Sequence, residues 1–67
     1  MEERCMIKTT ARGGGNSTHI LKWKDVIQKY ATRLSQEDAF NLIDGNNVTI
    51  TFPSNSIIKS IEFIMLA

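Results

Sequence analysis

Residues 20–34 read Ile-Leu-Lys-Trp-Lys-Asp-Val-Ile-Gln-Lys-Tyr-Ala-Thr-Arg-Leu, and the fold turns on how this stretch is read. Ile20, Trp23, Ile27, Tyr30 and Leu34 recur at steps of three, four, three and four, the spacing that lines one face of an α-helix. Val26 and Ala31 widen that face. The other side carries Lys22, Asp25, Lys29 and Arg33, with Asp25 and Lys29 at the favourable i, i+4 spacing. Ser17 or Thr18 is placed to cap the start by accepting from the free N–H groups of the first turn. The expectation is one long amphipathic helix that buries an apolar stripe and shows a basic one.

Outward from this helix the signals are shorter. On its N-terminal side, Arg12 to Thr18 is a glycine-rich loop (Arg-Gly-Gly-Gly-Asn-Ser-Thr), and Cys5 to Ala11 has the β-branched content of a short strand. On its C-terminal side, Ser35 and Asp38 form a variant of the capping box, with Glu37 and Asp38 favoured in a first turn by the helix dipole. A short helix over 35–44 follows, with Ala39, Phe40 and Ile43 on one face and Gly45 ending it. The rival reading makes 39–44 a strand, with Asp44-Gly45 as a hairpin turn, but the apolar pairs fit alternation poorly. Val48-Thr49-Ile50-Thr51-Phe52 alternates as a strand and Pro53 ends it. Ile57 to Ala67 is largely apolar and reads as a further helix, with Ile57, Ile58, Ile61 and Ile64 or Met65 inward and Phe63 and Leu66 toward another surface.

Size and composition bound what such a chain does. Sixty-seven residues make one small domain or a piece of one, and at 42% hydrophobic with a net charge of +1 they have the apolar content to fold. A chain this short buries only roughly 60% of its unfolded surface, and one cysteine excludes an internal disulfide. Association is the remaining common source of stability. The expected homo-oligomer places Phe63, Ile64 and Leu66 partly in an interface, with completion of the monomer core as the alternative. Charge is uneven: residues 1–34 hold seven basic side chains against three acidic ones, and residues 35–67 hold one against four. The two halves suit a second copy in an antiparallel, two-fold arrangement, an acidic protein face, or a nucleic acid.

Catalytic signals are sparse. His19 and Cys5 stand alone on either side of the glycine loop; the plain reading makes Cys5 a small buried hydrophobe and His19 a first-turn residue. The dinucleotide and P-loop patterns are absent, so the glycines read as a linker first and an anion cradle second, and no cofactor is implied. No secretory leader and no run of 18 apolar residues is visible, which makes the cytoplasm the expected address and a membrane partner unexpected.

Two resemblances bear on function. Leu34 to Ile43 (Leu-Ser-Gln-Glu-Asp-Ala-Phe-Asn-Leu-Ile), Val48 to Phe52 and Ile58-Lys59-Ser60-Ile61 together resemble small STAS-like domains of bacteria and phages, in which a capped helix precedes a strand, a loop and another helix. That resemblance implies a non-catalytic α/β interaction module. Gly15-Asn16-Ser17, and Asp44-Gly45 followed by Val48 to Pro53, look like elements of the AbrB/MazE-like swapped-hairpin antitoxins and transition regulators. That one implies an intertwined DNA-binding dimer.

The chain is therefore expected to be α+β, with one long amphipathic helix and one or two short ones packed on a small sheet. Its expected work is non-catalytic: a regulatory or protein-interaction module acting as an oligomer or in a complex. A DNA-binding antitoxin-like dimer is the alternative. Lys22, Lys24, Lys29 and Arg33 are the candidate partner or nucleic-acid contacts.

Overall fold

The structure, a computed structural model, describes residues 3–66. The elements run β1 (Arg4–Ala11), β2 (Asn16–Lys22), α1 (Trp23–Lys29), α2 (Gln36–Ile43), β3 (Val48–Thr51) and β4 (Ile58–Leu66). The strands form one antiparallel sheet in the order β2-β1-β4-β3. The fold is α+β as expected, but the long helix is absent.

The first hairpin explains why. Ala11 N–H donates to the Gly15 carbonyl at 2.7 Å and Gly14 takes φ +100°, so the glycines form a tight turn rather than a linker. Residues 16–22 then run back along β1, in register from Thr10 opposite Asn16 to Arg4 opposite Lys22. Ser17 and Thr18 are strand residues, not caps. Lys22 occupies the N-cap of α1 without a side-chain cap bond, and Trp23 N–H donates to the Glu3 carbonyl at 2.9 Å. Of the supposed helical stripe, Ile20 lies on the strand and is 52% exposed, and Ile27 is 38% exposed. Val26 is instead the fully buried residue of this helix. Strand pairing supplies every second residue of β2 with two backbone bonds to β1, whereas a helix starting at Thr18 would leave β1 an unpaired edge.

Residues 35–44 follow their local signals. Ser35 Oγ accepts from Asp38 N–H at 3.0 Å, and Asp38 Oδ2 accepts from Ser35 N–H at 3.1 Å. Gly45 takes φ +91°, with Gly45 N–H on the Leu42 carbonyl and Asn46 N–H on the Asn41 carbonyl, the paired bonds of a Schellman stop. The inward face is corrected, however. Leu42 is fully buried, while Phe40 and Ile43 are 58% and 54% exposed.

The C-terminal helix expected from Ile57 onward is strand β4, paired with β1 on one side and β3 on the other; Ala67 lies outside the described residues. Ile61 and Phe63 point into the core, and Ile64 and Leu66 to the other face. Only Ser60 to Phe63 alternate polar with apolar; Ile64 to Leu66 are apolar on both faces and hide the period of two, so the segment's pattern does not distinguish it from a helix.

Cys5, Ile7, Val48, Ile61 and Phe63 from the sheet meet Val26, Leu34 and Leu42 from the helical layer to form the core. Tyr30 packs edge-on against Phe63, ring centres 5.0 Å apart. Both helices thus lie on one side of the sheet. The other side carries no element among the described residues.

Candidate interaction surface

Alternation along the strands decides what that open side presents. With Cys5, Ile7, Ile61 and Phe63 in the core, the residues between them point away from the helices. Cross-strand register arranges them in rows. Lys22, Arg4 and Leu66 form the row at one end. Next come Ile20, Met6 and Ile64. The middle row is Thr18, Lys8, Glu62 and Thr49, and the last is Asn16, Thr10, Ser60 and Thr51. The face therefore carries an apolar patch of Ile20, Met6, Ile64 and Leu66 beside the basic Arg4 and Lys22, and a hydroxyl-rich half, divided by a lysine and a glutamate directly opposite each other. The polar half is a shallow depression of about 550 Å³ lined by Lys8, Thr10, Thr18, Thr49, Ser60 and Glu62 among others.

The sequence-expected contact residues separate in the fold. Lys22 ends β2 beside Arg4, while Lys24 and Lys29 are exposed on α1. The Lys29 ammonium lies 5.7 Å from the Tyr30 ring centre, and the Arg33 guanidinium lies 5.0 Å from that of Phe52. They do not share one helical stripe, because the helix that would have aligned them is divided between β2, α1 and the turn before α2. Of the expected interface residues, Phe63 is corrected: it is fully buried in the core. Ile64 and Leu66 are half-buried on the open face, beside Met6 and Arg4.

Met6, Lys8 and Glu62 were not singled out by sequence reasoning, and Ile20 was assigned to a helical stripe rather than to a strand. The legible signal was the near-symmetry of residues 4–11 and 16–22 about the three glycines, which reads as a hairpin once 16–22 is allowed to be strand.

The chemistry-bearing side chains do not gather on this face. The Cys5 thiol is buried on the core side and donates to the Met6 carbonyl at 3.6 Å. Burial pushes this thiol above its ordinary value, partly opposed by a bond from the Ile64 backbone. His19 is exposed on β2, opposite Ile7. Among the described residues no three His, Cys, Asp or Glu side chains cluster to hold a metal ion, and no helix is long and apolar enough to cross a membrane. A scan against protein-family models finds no match for the chain, and searches of the curated proteins and of the solved structures find none either.

Proposed function

We propose that this chain is a non-catalytic binding module, regulatory or protein-interaction in kind, that works as an oligomer or in complex with a protein partner. The observation that supports this reading is the open sheet face. Four strands carry their helices on one side only, and the other side presents Ile20, Met6, Ile64 and Leu66 together. An apolar row on a sheet face is a surface that association covers. Sedimentation equilibrium of the full chain over a wide concentration range tests the self-associating form of the reading. A mass that rises with concentration is expected; a constant single-chain mass removes self-association and leaves a different protein as the partner.

A nucleic-acid partner is the second reading, supported by the exposed basic side chains of Lys24 and Lys29 on α1 and of Arg33 in the turn beyond it. Mobility shift of an unrelated DNA duplex at increasing salt distinguishes it. Four phosphate contacts give a log–log slope of about −3.6. Absence of binding at low salt retires this reading.

A further inference from the structure

We infer that the open sheet face packs on the same face of a second copy, about a two-fold axis parallel to the strands and lying between β1 and β4. The inference rests on the oligomeric reading above and specifies which surface associates and how.

The middle row decides the geometry. Lys8 and Glu62 are direct cross-strand partners on the two central strands, so they straddle the midline of the face. An axis along that midline preserves position along the strands and exchanges left for right. It lays each β1 over its partner's β4, and each Lys8 over the other copy's Glu62. The four charges then alternate in a closed square. An axis across the strands through the same row lays Lys8 on Lys8 and Glu62 on Glu62, which opposes like charges in a desolvated layer. Charge complementarity therefore selects one of the two symmetric stackings.

The neighbouring rows agree with it. Met6 falls over Ile64 and Ile64 over Met6, so the apolar rows cover each other, with Ile20 at their margin. Leu66 falls over Arg4, whose aliphatic stem can cover it while the guanidinium reaches the rim. Thr18 falls over Thr49. Four strands about 4.8 Å apart and about seven residues long at about 3.3 Å each give a flat footprint near 440 Å² per copy. Side-chain relief raises the accessible area above this, toward the roughly 1,200 Å² total at the lower end of specific interfaces. A base-stacking partner fits the face less well, since none of its row residues is aromatic and a glutamate stands at its centre.

Sedimentation velocity of the full chain and three variants tests this, with circular dichroism confirming that each is folded. The wild type is expected at the two-copy mass. Lys8→Glu and Glu62→Lys each place like charges throughout the square and are expected to sediment as single chains. Lys8→Glu with Glu62→Lys restores the alternation and the two-copy mass. Should the single-charge variants fail to fold, Ile20→Asp replaces them: this residue is more than half exposed on an edge strand, and the change is expected to weaken the dimer at least about tenfold. A wild type that dimerises unaffected by any of these changes overturns the inference and leaves the oligomeric reading standing, with its interface elsewhere. A wild type that stays single at all concentrations overturns both.

Discussion

Cys5, the second residue of β1, is fully buried, with its thiol on the Met6 carbonyl. Burial raises its pKa because a thiolate there would be desolvated, and the Ile64 backbone bond recovers only part of that cost. The thiol therefore stays protonated at neutral pH and is a packing group rather than a nucleophile. Its expected alkylation by iodoacetamide is at least about tenfold slower in the native chain than in urea, because reaction requires opening. The folded pKa lies above the unfolded one, so the contribution to stability is complete below the unfolded thiol value of about 8.5 and is lost as pH rises through the folded value. The urea midpoint is expected to fall above about pH 8.5 in the wild type by more than in Cys5→Ala. An equal fall in both would assign the alkaline loss to other groups.

At the scale of the element, the first hairpin depends on one glycine more than its neighbours. Gly14 has φ +100°, and a Cβ there would meet no atom within 4 Å, so the cost of Gly14→Ala is purely that of the backbone, about 1–2 kcal/mol. Gly13 has equal space and no positive φ. Gly13→Ala is expected to be neutral or to stabilise by about 0.4–1 kcal/mol through the unfolded chain. Urea unfolding of the two variants side by side measures the contrast; equal effects would mean that the turn is as loose as a linker. The helix α2 is the opposite case, an element whose start and stop are both written locally. Ser35 and Asp38 satisfy its first donors, and Gly45 with Asn46 its last acceptors.

For the whole molecule, Arg12 joins parts distant in the chain. Its Nε donates to the Ser56 carbonyl at 3.0 Å, and its Nη2 donates to the carbonyls of Phe52 and Pro53 at 3.0 and 2.8 Å. Its own N–H donates to the Ile57 carbonyl at 2.8 Å. The β1–β2 turn is thereby tied to the β3–β4 loop, so the two hairpins are held at the end away from the chain termini. A lysine carries the charge but not the fork, so Arg12→Lys is expected to lose about 1 kcal/mol in urea unfolding. Hydrogen exchange should quicken mainly in residues 52–57. Unchanged exchange there would show that the carbonyls need no tie.

Several elements were complete in the sequence because their determinants are neighbours. Cys5 to Ala11 and Val48 to Thr51 carry strand composition, Ser35 to Gly45 carries its own cap and stop, and Pro53 ends a strand by lacking a donor. Two elements were decided only by tertiary pairing. In residues 16–34 the apolar spacing suits a helix, yet residues 16–22 gain more by completing the backbone bonds of β1, and the helix is left with seven residues. In residues 58–66 the apolar run is indifferent between helix and strand, and only its place between β1 and β3, with neighbours on both sides, makes it the centre of a sheet. The candidate surface shared that fate. Lys8 and Glu62 lie 54 positions apart in the sequence, and nothing local sets them side by side. A charge pair made by strand register exists only once the register does, whereas a basic helical stripe is a matter of spacing along the chain alone.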